Sequence, residues 1–203
     1  YTNTQMPWQE GDNASVPQAP TNYNPVGFYR KEFTVNPSML QENGRVLISF
    51  QGVESAYYVY VNGHEVGYSE ASYRPHEFDI TDYLNPPGEV NTLAVEVHKF
   101  CDGTWMEDQD MIYDGGIFRD VYLYSTPLVH ISDYRVITDL DETYENADLD
   151  LTGTVDNESA QTASGYMLDV RIYNEDGTMF VNGVTASVPA IEAGGSQTVE
   201  ISK

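Results

Sequence analysis

Four carboxylates and an indole crowd into the ten residues Asp102-Gly103-Thr104-Trp105-Met106-Glu107-Asp108-Gln109-Asp110-Met111. Carboxylate oxygens are hard donors for cations, and they also accept hydrogen bonds from sugar hydroxyls, while an indole stacks on the C–H face of a pyranose. The residues alone leave a cation, a carbohydrate and a plain acidic surface loop open. Glycoside hydrolysis uses two carboxyl groups on opposite sides of the scissile bond, one of them with a raised pKa. Glu107, Asp108 and Asp110 stand too close in sequence to define that geometry, and like charges at this density flank a cation or face water.

The other chemically capable residues are scattered. His64, His76, His98 and His130 show no pair at metal-ligand spacing, so packing roles are expected of them. Cys101 is the single cysteine, which rules out an internal disulfide and makes it a candidate for a small buried apolar residue. Trp8 and Trp105 suit either a sugar platform or a core or domain contact.

The elements that must position these groups read as strands. Sixteen Tyr, sixteen Gly and ten Pro among 203 residues, with frequent Val and Thr, favour short strands joined by tight turns, hence an all-β fold. Residues 1 to 27 lack periodicity and are expected as an ordered arm. Strands are predicted over 28–35 and 45–50, and Ala56 to Val61 and His64 to Tyr68 flank Asn62-Gly63 as a β-hairpin. Residues 78–84 read as a turn-like or helical segment before a strand at 91–97, and 116–124 reads as one further strand. Beyond Pro127, strands are predicted at 129–136, 147–155, 165–173 and 197–201, with Asp176-Gly177 as a turn signal. About five strands in this second half, where an immunoglobulin-like sandwich needs about seven, predict a domain cut short. The acidic loop thus falls between the strands at 91–97 and 116–124.

Composition narrows the partners. Thirty-two acidic against nine basic residues give a formal charge of −23, which repels phosphate backbones and anionic headgroups, so neither nucleic acid nor membrane is an expected partner. No apolar run is long enough to span a bilayer and no secretory signal is visible, and a cytoplasmic setting is the expectation. The opening Tyr1-Thr2-Asn3, without a methionine, reads as the start of an excised segment.

Several motifs together resemble a known family. Asn24-Pro25-Val26-Gly27-Phe28-Tyr29, Gly52-Val53-Glu54-Ser55-Ala56, Val61-Asn62-Gly63, Val66-Gly67-Tyr68-Ser69, Glu77-Phe78-Asp79, the run from Asp102 to Met111 and Gly116-Ile117-Phe118-Arg119-Asp120-Val121 occur in the order found in β-galactosidases of glycoside hydrolase family 2, of the lactose-cleaving type. The resemblance covers residues 1 to 136 and weakens beyond. It implies a sugar-binding jelly-roll domain over 1–126 and part of an immunoglobulin-like β-sandwich over 127–203.

It also implies a division of labour. In that family the catalytic glutamates and the magnesium ligands lie on a TIM barrel that this chain does not contain, so the fragment itself is expected to be inactive. The jelly roll lends residues to the galactose subsite, and by this resemblance Asn3 contacts sugar hydroxyls while Asp110 is both a substrate contact and a carboxylate ligand to sodium, the site being completed by the barrel. Trp105 remains a sugar or domain contact. The expected partners are a β-galactoside, the parent enzyme's own barrel and, for the full-length enzyme, further copies of itself. The stretch from Val181 to Gln197 is shorter than the loop that crosses to a neighbouring subunit in some tetrameric relatives. The other reading is a stand-alone carbohydrate-binding module with Trp105 or Trp8 as platform and the Asp102–Asp110 loop as a calcium site.

Overall fold

The computed structural model describes residues 18–40, 44–107 and 115–202. The chain divides between Ser125 and Thr126 into two compact units, both built of antiparallel strands. No helix among the described residues is long and apolar enough to cross a membrane.

In the first unit, β1 (Val26–Thr34), β2 (Gly44–Phe50), β3 (Val53–Glu54), β4 (Ala56–Val61), β5 (His64–Ser69), β6 (His76–Asp79), β7 (Val90–His98), β8 (Gly116–Ile117) and β9 (Val121–Pro127) form three sheets. Their orders are β1-β7-β4-β5, β6-β2-β9 and β3-β8. The β4–β5 hairpin closes because Asn62 and Gly63 both take positive φ, 52° and 84°, the left-handed backbone that a tight two-residue turn needs. Asn62 adds a tertiary lock: its amide donates to Tyr83 O at 2.7 Å and to Asn91 Oδ1 at 2.8 Å, and its Oδ1 accepts from Thr92 N at 2.9 Å.

Alternation along β4 and β7 sends Tyr57, Val59, Val61, Val95 and Val97 inward, where they meet Val46, Ile48 and Phe50 of β2 and Phe78 of β6. Phe50, Tyr57 and Phe78 form a ring triangle with centroids 5.1 to 6.0 Å apart. Full burial of each such ring stabilises the unit by roughly 2–3 kcal/mol. Burial also pushes the Tyr57 hydroxyl up to about 12, partly offset by its hydrogen bond with Ser69.

Two stretches differ from the sequence expectation. Phe78 and Asp79 belong to β6, because Ile48 and Leu47 pair with them across the sheet, and only Thr81–Tyr83 forms a 3-10 turn. Residues 116–124 are two strands, since Phe118 N donates to Gly52 O at 3.2 Å and Gln51 N to Asp120 O at 3.0 Å, diverting the backbone between β8 and β9.

The second unit holds β10 (Val129–Leu140), β11 (Ala147–Asn157), β12 (Met167–Tyr173), β13 (Met179–Ser187) and β14 (Ser196–Ser202), in a β10-β11-β14 sheet and a β12-β13 hairpin. The hairpin turn has Gly177 at φ 80° and Asn174 N donating to Thr178 O at 2.8 Å. Val155, Leu168, Val188, Ile191, Val199 and Ile201 make this unit's own core. Asn157, fully buried, satisfies the backbone beside it by donating to the carbonyls of Gln161, Ile191 and Glu192 at 2.7 to 3.2 Å.

Candidate functional site

The acidic stretch leaves β7 through Phe100 and Cys101 and opens as a 3-10 helix, Asp102–Met106. Thr104 starts it: Cys101 N donates to Thr104 Oγ1 at 2.9 Å, and Thr104 N donates to Cys101 O at 3.2 Å. Both residues are buried, so these backbone groups have no access to water and depend on each other. Trp105, half-buried, donates its indole N–H to Gln18 O at 3.0 Å and thereby ties the described end of the N-terminal arm to this helix. Asn24 secures the same arm, donating to Phe100 O at 2.9 Å and accepting from Phe100 N at 3.0 Å.

The two described residues that bracket residues 108–114 are both anchored to the sandwich. At one end, Ser72 Oγ donates to Glu107 Oε2 at 2.8 Å, and Ser72 is 0% exposed. At the other, Gly115 N donates to Glu54 Oε2 at 3.1 Å, while Tyr73 OH donates to Glu54 Oε1 at 3.1 Å, and Glu54 is 4% exposed. Both anchors meet at the Ser72-Tyr73 turn. That turn is itself held by Val53 N donating to Ser72 O at 3.2 Å and by Arg119 Nη1 donating to Tyr73 O at 3.1 Å. Gly115 and Gly116 follow with φ of 75° and 93°, and a Cβ on Gly116 would collide with the Tyr29 hydroxyl.

The chemistry of these groups is that of a mount. Glu54 with both oxygens and Glu107 with Oε2 accept hydrogen bonds that fix backbone and turn. Asn3, Trp8 and Asp110, singled out from the sequence, lie outside the described residues, and Trp105 is placed beside the arm. Glu54, Ser72 and Tyr73 were not singled out for chemistry, although a charged residue inside the apolar run Val53-Glu54-Ser55-Ala56-Tyr57 is a visible anomaly.

Among the described residues, one group could bring three ligand atoms together: Glu70, Cys101 and Asp102, all within 4.8 Å of one another. Tyr68 OH donates to Glu70 at 3.2 Å, and burial, with the negative charge of Glu70, pushes the Tyr68 hydroxyl well above its ordinary value. A thiol is a soft donor, so this set matches neither sodium nor calcium, which take oxygen ligands. Within the acidic stretch, Glu107, Asp108, Gln109 and Asp110 offer side-chain oxygens. A cavity of about 490 Å³ opens elsewhere in the first unit, lined by Tyr29, Phe33, Ile48, Leu93, Val121 and Leu123 among others. Its inner walls are apolar, its mouth carries the exposed Arg30, Lys31 and Tyr122, and none of the described residues of the acidic stretch lines it.

Residues 1–127 match the family model described as "Glycosyl hydrolases family 2, sugar binding domain". The chain is 49% identical over 174 residues to a β-galactosidase of Priestia megaterium, covering 86% of this chain and 16% of that protein. It is 47% identical over 169 residues to a β-galactosidase of Clostridium acetobutylicum, covering 83% of this chain and 18% of that protein. Among solved structures, a β-glucuronidase of Bacteroides uniformis superposes with a TM-score of 0.74 at 25% identity, over 89% of this chain and 22% of that one. The chain therefore spans less than a fifth of the length of these curated relatives.

Proposed function

From the premise that this chain belongs to glycosyl hydrolase family 2, with the sugar binding domain over residues 1–127, we propose that it is the non-catalytic, sugar-contacting part of a β-galactosidase. The observation that carries this reading is the kinship with proteins named β-galactosidase across a stretch that includes the acidic segment and both of its anchors. The catalytic carboxylates and any magnesium ligands would then reside in the rest of the parent enzyme. This chain contributes Asn3 and Asp110 to the galactosyl subsite, and terminal β-D-galactosyl residues of lactose-type substrates are what it helps to hold.

The roles follow from the side chains. An amide such as Asn3 both donates and accepts, which suits a hydroxyl that does the same. Asp110 supplies a full negative charge to sodium, whose remaining ligands would come from the parent enzyme. The side-chain oxygens that Glu107, Asp108, Gln109 and Asp110 offer suit that cation. Bound sodium would offer its positive charge to a sugar hydroxyl, and Asp110 would orient it there.

The test is Asp110→Asn in the full-length parent enzyme, with Asp108→Asn as neighbour control. The amide keeps the shape and removes the charge, so the sodium midpoint is expected to rise by about 10-fold or more, with a parallel rise in KM. An unchanged sodium dependence and KM would remove Asp110 from the site, and a larger loss in Asp108→Asn would transfer the role to the neighbour.

A further inference from the structure

We propose that the slot between β1 and β9 receives an extended strand of the parent enzyme from outside this chain, apolar on its inner face and carrying a carboxylate to Lys31. It shares with the proposed function only the longer parent enzyme, and it needs neither Asp110 nor sodium. The core of the first unit is closed unevenly. Val46, Val59, Val61 and Ile80 are 0% exposed, whereas Phe33, Leu93, Ile117, Val121 and Leu123 are only partly buried. Those five line the cavity of about 490 Å³. Apolar walls of this extent are unfavourable to leave against water.

Both strands that flank the slot are edges among the described residues: β1 ends the β1-β7-β4-β5 sheet, and β9 ends the β6-β2-β9 sheet. β1 runs nine residues against β7 without a register shift, and Phe28 on it is 78% exposed. A long, regular edge presents a row of backbone N–H and C=O groups on which a further strand can form. A small amphiphile in the slot would leave both rows to water. An added strand pairs with one of them and sets every second side chain against the apolar walls. The two β-galactosidases are matched over 16% and 18% of their length, which leaves more than four-fifths of such a protein to supply it.

Charge selects the chemistry of that strand. Lys31 stands opposite Leu93, on the same side of β1 as Tyr29 and Phe33, and so faces the slot. The chain has 32 acidic and nine basic residues, yet among the described residues neither Arg30 nor Lys31 has an ion-pair partner. A carboxylate on the incoming strand meets Lys31 at the mouth, and a cation there would be repelled.

Hydrogen exchange is compared between the isolated chain and the full-length parent enzyme, each as wild type and as Lys31→Glu. Lys31 is exposed, so the chain's own fold does not depend on it. Peptides covering 26–34 or 121–127 are expected to exchange at least about 10-fold more slowly in the parent. Lys31→Glu should return about 10-fold of that protection in the parent and change the isolated chain by less than about 2-fold. A zero-length carbodiimide, which joins an amine to a carboxylate in direct contact, should link Lys31 of the parent to an Asp or Glu outside residues 1–203.

Equal exchange in the two proteins refutes the proposal, because Lys31 then only blunts a free edge or the slot holds a small molecule. Protection that Lys31→Glu leaves unchanged refutes it too, since the occupant would carry no carboxylate at Lys31. A link from Lys31 to a residue within 1–203, or between labelled and unlabelled copies in a mixture, assigns the slot to this chain's own arm or to a second copy and overturns the proposal. None of these outcomes touches the reading of Asp110.

Discussion

Replacing Thr104 by valine tests how the acidic stretch is launched from the sandwich. Valine keeps the branched shape and deletes one oxygen, so the change isolates the hydrogen bond. That oxygen accepts from Cys101 N at 2.9 Å, and Thr104 and Cys101 are 2% and 5% exposed. Water therefore cannot replace the lost acceptor, and an orphaned buried N–H costs about 1–3 kcal/mol. The hydroxyl's own donations, to Ser55 Oγ at 3.5 Å and Cys101 Sγ at 3.6 Å, are long and add little. The expected loss is thus about 2 kcal/mol, or a fall in Tm of the first unit of roughly 5–10 °C. Calorimetry or urea denaturation of the chain measures it, with Thr104→Ser as the control that restores the oxygen and most of the stability. A Thr104→Val protein within about 0.5 kcal/mol of wild type would refute the argument, since surface substitutions alone fall in that range.

Two more outcomes are expected. The isolated chain should not hydrolyse a chromogenic β-galactoside, and turnover that persists after removal of host enzyme would contradict its assignment as a non-catalytic part. The Asp141 carboxyl, in the turn between β10 and β11, is held down at about 2 by hydrogen bonds from the Asn146 and Thr143 side chains and the backbone of Glu145 and Asn146. A depressed folded value means that its contribution to stability is present above the unfolded carboxyl range near 4 and fades as pH falls toward about 2. A carbon-detected NMR titration reads this directly, and a midpoint near 4 would refute it.

Much of the sandwich is legible in the sequence because its signals are local. Asn62-Gly63 announces its hairpin through the two backbone conformations that only a few residue types accept, and strict alternation over 147–155 foretells the half-buried β11. What misleads is non-local. The break between β8 and β9 depends on bonds to Gly52 and Gln51, some 65 residues earlier, and the pairing that draws Phe78 into β6 depends on Ile48. The mount of the acidic stretch is hidden for the same reason. Glu54, Ser72 and Tyr73 are distant in sequence from Glu107 and Gly115, and a lone glutamate in an apolar run tells of burial but not of its partner. Asn3 and Asp110 rest on resemblance, which composition and periodicity could not have supplied.

The double anchorage of the acidic stretch bears on how such a chain can evolve. Glu107 and Gly115 are fixed to the sandwich by bonds that involve none of the residues 108–114. Insertions between them start from ends that are already brought together, and closure entropy rises only with the logarithm of length, about 0.6 kcal/mol per doubling. The two anchors therefore do not depend on which residues stand between them. Mutation can change the length and composition between them without removing a bond of either anchor.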